Sequence, residues 1–161
     1  MDFICSTATM EHIPEPEIVA IMKECARICS PAGKVSFLID YHDHYGTADG
    51  RITMWNFYRY SARTWRRFNP PNHYQNRLRH SDYEKIFAGL GFGIQSAEGV
   101  IPDWGERQLE RIPVCRDFAH YSREDLITVA GKYLLTPPAK REQESTGLMG
   151  DVAVAEQLHQ G

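Results

Sequence analysis

Two short clusters in this 161-residue chain carry residue types able to do chemistry. Glu11-His12 follows closely on the run Ser6-Thr7-Ala8-Thr9-Met10. An imidazole changes protonation near neutral pH, so His12 beside a carboxylate can orient or deprotonate an acceptor group. The plain alternative is that Glu11 and His12 cap the turn ahead of Pro14. Asp40, His42 and His44 alternate, and in an extended segment they share one face. A catalytic zinc site takes about three protein ligands, and Asp40-x-His42-x-His44 supplies that number. No further His, Asp or Cys stands at ligand spacing, so the trio reads as substrate contacts or polar turn residues, and no metal is expected. Cys25 and Cys29 lie four apart on a helical pattern and read as buried packing. Arg77, Arg79 and His80 form a basic triplet that suits a phosphate or carboxylate, or else a solvated helix start.

The elements that must position these groups are legible in part. Phe3-Ile4-Cys5 is a short apolar run that passes into small hydroxylated residues, the pattern of a buried parallel strand delivering polar groups from its C-terminal end. Open α/β sheets bind ligands at that end. Pro14 and Pro16 interrupt the chain, and Glu15 and Glu17 place negative charge at a helix start. Ile18, Ile21, Met22, Cys25, Ile28 and Cys29 recur at helical spacing, which predicts an amphipathic helix over 17–29 closed by Ser30-Pro31-Ala32-Gly33. Lys34–Asp40 reads as a second buried strand, making a strand–helix–strand crossover.

Further on, 52–65 is rich in aromatic residues (Trp55, Phe57, Tyr58, Tyr60, Trp65) and reads as a short helical cover that either walls a site or forms core. Asn69-Pro70-Pro71-Asn72 is a turn. A helix is expected over 82–89, capped by Ser81-Asp82, then a strand over 92–96. Residues 99–116 look irregular and charged, and Leu126–Leu135 looks like a strand. From 137 the chain turns polar, which predicts a disordered tail over 137–161 with a frayed helix near 148–158.

Composition sets the bounds. A 42% hydrophobic content supports one domain with a core, and a net charge of −3 gives no sign of a nucleic-acid or membrane surface. No apolar run reaches membrane-spanning length and no signal-peptide pattern is present, so a cytoplasmic protein with reduced thiols is expected.

Asp2-Phe3-Ile4-Cys5-Ser6 with Met10-Glu11-His12-Ile13 resembles the fourth strand and following loop of class I S-adenosylmethionine-dependent methyltransferases. Glu24-Cys25-Ala26-Arg27-Ile28 through Ser30-Pro31-Ala32-Gly33-Lys34 is similar to the family's helix end before strand five. Leu90-Gly91-Phe92 resembles the element before strand six, and Tyr133-Leu134-Leu135 the closing antiparallel strand. The resemblance covers about residues 2–135. Asp40–Tyr45 and Asn76–Tyr83 look like a bacterial subgroup of these enzymes with small-molecule or sugar acceptors. Position 32 is Ala where the family usually has Gly.

The resemblance implies an α/β fold, the C-terminal half of a Rossmann-like methyltransferase sheet. Strands four and five would be parallel, and six and seven the closing antiparallel pair. Residues 1–136 would be a partial methyltransferase domain with an inserted aromatic cover at about 46–80. It implies S-adenosylmethionine as cofactor, passing along Ser6, Thr7, Ala8 and Met10. Glu11 and His12 would be catalytic, and Asp40, Tyr41, His42, His44, Trp55 and Tyr58 would meet a small-molecule acceptor. The family's glycine-rich loop after strand one and its acidic residue after strand two have no counterpart here. The isolated chain is therefore expected to be inactive, and to self-associate through the apolar edge of its first strand. The alternatives are a non-catalytic or split fragment that binds another chain, and a metal-dependent hydrolase on Asp40, His42 and His44.

Overall fold

Short apolar runs alternating with capped helices build one four-stranded sheet in the computed structural model, which describes residues 1–139. In chain order the elements are β1 (Phe3–Thr7), α1 (Glu15–Ile28), β2 (Lys34–Asp40), α2 (His44–Ala48), α3 (Ala62–Trp65), α4 (His80–Gly89), β3 (Gly93–Val100), α5 (Gly105–Leu109), α6 (Arg123–Ile127) and β4 (Ala130–Thr136). β1 and β2 are parallel, with Ile4 opposite Val35 and Ser6 opposite Phe37. The sheet order is β1-β2-β4-β3, so the last strand inserts antiparallel between β2 and β3.

The period-two pattern of β2 decides which face is covered. Val35, Phe37 and Ile39 are buried, together with Tyr133 and Leu135 from β4. Ile18, Met22 and Cys25 of α1 and Tyr83 and Phe87 of α4 pack on that same face and complete the first core. On the other face Phe3, Cys5 and Lys132 are exposed. β1 was expected to be buried. It is a sheet edge instead, pairing only with β2 among the described residues, and Phe3 is 58% exposed.

Several expected boundaries move. Helix 17–29 forms as 15–28 and helix 82–89 as 80–89, while strand 92–96 runs on to Val100 through an irregularity between Ile94 and Ser96. The expected strand 126–135 begins as helix α6, because the Ser122 hydroxyl accepts from the Asp125 amide at 3.0 Å and Glu124 and Asp125 supply charge to the first turn. The aromatic stretch is not one helix but a 3-10 turn (Asn56–Arg59) followed by α3. The irregular, charged 99–116 stretch contains α5, whose Leu109 joins Trp55, Phe57, Tyr58, Trp65, Ile112, Phe118, Leu126 and Ile127 in a second core. The expected tail lies outside the described residues from 140 onward; 137–139 carry neither helix nor strand.

Arg79, read from sequence as part of a solvated or ligand-binding triplet, is fully buried where the two cores meet. Its guanidinium donates to the Tyr41 carbonyl at 2.7 Å, to Thr128 at 2.6 Å and to Asp125 at 3.2 Å. Tyr41 and Tyr58 each stand 5.2 Å from it as cation–π partners. The cation ties the end of β2 to the C-terminal carbonyls of α6, where a positive charge is favoured. Next to it Tyr41 and Tyr133 share a hydroxyl hydrogen bond of 2.6 Å, and His80 Nδ1 lies 2.7 Å from the Tyr133 hydroxyl.

Replacing Arg79 with Met leaves three buried carbonyls without a donor, and is expected to lower stability by about 3–5 kcal/mol, read from urea unfolding followed by circular dichroism. Burial holds the His80 imidazole below the ordinary histidine value of 6.5; Arg79 adds to this, while Glu84, Asp125 and Glu124 oppose it. Because the fold favours neutral His80, the unfolded chain takes up the proton first. The stabilisation is therefore complete above 6.5 and is lost as the pH falls below it. Urea midpoints should drop from about pH 7.5 to about pH 5.5, and the drop should be shallower in His80→Asn.

Candidate functional site

β1 and β2 run side by side and end together, so the residues just beyond each strand meet. After β1 the chain turns through Ala8, a non-glycine residue at φ 49°, whose amide still donates to the Leu38 carbonyl at 2.9 Å. That left-handed position costs an L-residue about 1–2 kcal/mol and sends Met10–His12 into a 3-10 turn across the strand ends. After β2, the Asp43 carboxylate accepts from the Tyr45 amide at 2.9 Å and starts α2 at His44.

These two turns bring Glu11 and His12 to His44. The His12 and His44 rings are 4.9 Å apart and those of His42 and His44 5.3 Å. His44 belongs to two groups, Glu11–His12–His44 and Asp40–His42–His44, in each of which the candidate ligand atoms lie within 4.8 Å of one another. Sequence spacing pointed only to the second group, because Glu11 and His12 are more than thirty residues from His44.

Burial makes the site electrically unusual. Glu11 is 1% exposed, and neither of its carboxylate oxygens has a hydrogen-bond partner. His12 Nε2 stands 4.0 Å from Oε1. Burial pushes the Glu11 carboxyl above the usual range, and the Asp40 charge adds to this. His44 is pushed down to about 4, chiefly by burial and then by His42 and His12. His12 Nδ1 stands 2.8 Å from the Tyr74 carbonyl. A carbonyl only accepts, so Nδ1 carries the hydrogen, and in the neutral ring Nε2 is the free acceptor facing Glu11.

The residues that hold this arrangement come from 74–76. The Asn76 side-chain amide donates to the Met10 and Ile13 carbonyls, both at 2.8 Å, and its backbone amide donates to Glu11 at 2.7 Å. Gln75 donates to the His42 carbonyl at 2.5 Å and accepts from the His44 amide at 3.2 Å. Three consecutive residues thus pin both turns. The sequence reading passed over Tyr74 and Gln75 and treated Asn76 only as part of a resemblance; isolated polar side chains in a loop carry no periodic signal.

Other expected site residues sit elsewhere. Tyr41, Trp55 and Tyr58 are 2% exposed or less, and Tyr58 donates to the Leu126 carbonyl at 3.0 Å. They are core, which corrects the expectation that they contact an acceptor: large apolar rings in a cover gain most by being sealed in. The Met10 side chain is likewise buried in the first core, so only its backbone borders the crevice. Asp40, His42 and His44 are half-buried at the strand ends. A cleft of about 630 Å³, lined by Trp65, Asn69, Arg77, Phe118 and Tyr121 among others, reaches the clamp residues Tyr74, Gln75 and Asn76 and includes none of Glu11, His12, Asp40, His42 or His44 in its lining. That volume suits a small molecule.

On β1 Thr7 is exposed and Ser6, on the opposite face, is half-buried, while Ala8 just beyond the strand is exposed. The hollow beside Ser6 and Thr7, shared with Ser36, Leu38 and Lys132, measures about 240 Å³. This falls below the ~300–1,000 Å³ of ligand pockets, and it is open on the uncovered face of the sheet. The described residues thus do not enclose a nucleoside-sized pocket at this hollow.

Asn76→Ala removes the clamp on the Met10–Ile13 turn. It is expected to cost about 1–3 kcal/mol, and to free the His12 ring, read as a loss of the distinct Nδ1–H signal in nitrogen-edited NMR.

No family model matches the sequence, and no curated protein does. Among solved structures, the chain is similar to one of a complex between the Haloferax volcanii Trm112 methyltransferase activator and a candidate methyltransferase. That match has 14% identity and a TM-score of 0.48, and covers 89% of this chain and 56% of the other. It is similar to a DUF574 family protein from Streptomyces avermitilis, with 14% identity and a TM-score of 0.43 over 84% of this chain and 44% of the other. A third likeness is to a candidate methyltransferase from Bacillus halodurans, with 12% identity and a TM-score of 0.44 over 86% of this chain and 64% of the other. The chain spans between 44% and 64% of the length of these three structures.

Proposed function

We propose that this chain provides the acceptor-side half of a class I S-adenosylmethionine-dependent methyltransferase. The observation that carries the reading is the convergence of Glu11, His12, Asp40, His42 and His44 at the carboxyl ends of the parallel pair β1 and β2. The sheet order β1-β2-β4-β3 supports it, since it gives a parallel pair and a closing antiparallel pair where the motif resemblance expects them. Methyl transfer from a sulfonium chiefly needs an acceptor held in line in a water-poor pocket. The cleft bordered by Tyr74 and Gln75 offers room for a small-molecule or sugar acceptor, and His12, whose Nδ1 is held by the Tyr74 carbonyl, would orient that acceptor or take its proton through Nε2. Walls for the cofactor would come from residues outside the described sheet, packed along β1.

A second reading is a non-catalytic fragment that binds another chain. It is favoured by the outer edge of β1, which pairs with no strand among the described residues and exposes Phe3 and Cys5, and which also suits self-association. One experiment separates the two. The 161-residue chain is mixed with a chain carrying a strand, a glycine-rich loop and an acidic strand end, and S-adenosylmethionine binding is followed by calorimetry. The catalytic reading expects no binding by the chain alone and binding by the mixture. It also expects transfer that falls about 10²–10⁴-fold in His12→Gln. A complex that forms but binds no cofactor would overturn it and favour the second reading.

A further inference from the structure

We propose that Glu11, His12 and His44 form a binding site for one divalent transition-metal ion of the zinc class. Three separate observations point to it. The ligand atoms of these residues lie within 4.8 Å of one another, although they come from turns after two different strands. Zinc bonds of about 2.0–2.1 Å bring ligand atoms to about 3.3 Å apart, a closure that side-chain rotation supplies. The Glu11 side chain is almost wholly buried, and both its oxygens lack any hydrogen-bond donor. A carboxylate stripped of water and left without a donor requires a cation or its own proton, and it is faced by the His12 and His44 imidazoles and by the Asp40 carboxylate, a second acidic group that a cation would also satisfy. Finally, the Tyr74 carbonyl fixes the His12 tautomer with the Nε2 lone pair turned toward Glu11. Metal-binding histidines are held by this kind of outer contact.

Ligand type selects the ion. Two imidazoles and one carboxylate suit zinc or cobalt, whereas magnesium and calcium prefer oxygen donors throughout. Three protein ligands leave a coordination position open, and the half-exposed His12 ring gives an approach from solvent. The adjacent Asp40–His42 pair shares His44 and would meet whatever occupies the open position. With the ion bound, His12 Nε2 is a ligand and no longer a free base, so an acceptor oxygen or a water on the ion would take over the role given to that nitrogen above. Only this last point rests on the methyltransferase reading.

The full chain, stripped of metal with a chelator, is titrated with Co²⁺ by visible absorption and with Zn²⁺ by calorimetry. One ion per chain is expected, with cobalt bands of low coordination number. Glu11→Gln and His44→Asn should each weaken binding by about 100-fold, with unchanged far-UV circular dichroism, while the exposed-site variant His120→Gln keeps full affinity. If either ligand variant fails to fold, His12→Gln, at the more exposed ring, takes its place. The proposal is overturned by an absence of saturable binding, by magnesium competing at equal concentration, or by affinity lost in Asp40→Asn and His42→Asn but retained in Glu11→Gln. No methyl donor or acceptor is present, so a failed titration leaves the methyltransferase reading standing, and a failed transfer assay leaves the metal site standing.

Discussion

The buried guanidinium of Arg79 holds the two halves of this structure to each other. Its donors reach the Tyr41 carbonyl at the end of β2 and the Asp125 and Thr128 carbonyls around α6, and its faces meet rings from both cores. No carboxylate neutralises it among the described residues. Carbonyl dipoles and ring quadrupoles do the work of a counter-ion, which is tolerable only because several converge on one planar, many-donor group. Lysine, with a point charge and no planar fork, could not make the same set of contacts. The sheet is thereby joined to the aromatic cover at the place where β2 turns into the site.

From that junction the site follows by a second set of constraints. Residues 74–76 follow the short Pro71–His73 turn and run into Arg79, so the same segment that carries the buried cation also carries the clamp on both active turns. Asn76 fixes the turn after β1, Gln75 the turn after β2, and the Tyr74 carbonyl one imidazole. The arrangement is tied down where the candidate chemistry lies, by the same residues that border the cleft. Preorganisation of this kind is what positioning an acceptor demands, and it is also what a three-ligand metal site demands.

How much of this was legible beforehand divides along a physical line. The β1–α1–β2 crossover, the apolar face of α1, the β2 alternation and the placing of Glu11-His12 and Asp40-x-His42-x-His44 beyond strand ends all came from periodicity and local turn chemistry. Those signals are written within a window of a dozen residues. Leu126–Leu135 misled because its apolar residues suit either element, and the Ser122 cap, a local signal that was available, decides for a helix. Trp55 and Tyr58 misled because an aromatic residue looks the same in sequence whether it walls a pocket or fills a core.

The sequence by itself determined the β1–α1–β2 crossover, which face of β2 is buried, and that acid–base side chains stand at the ends of two adjacent strands, because each of these depends on near neighbours in the chain. Only the tertiary structure decided that Arg79 is a buried strut, that 74–76 clamps both turns, and that His44 joins Glu11 and His12 as closely as it joins Asp40 and His42. Those outcomes depend on contacts between residues from about thirty to 66 positions apart. Desolvation at such contacts turns an ordinary carboxylate into one without a partner, and it exists only once the chain has folded around it.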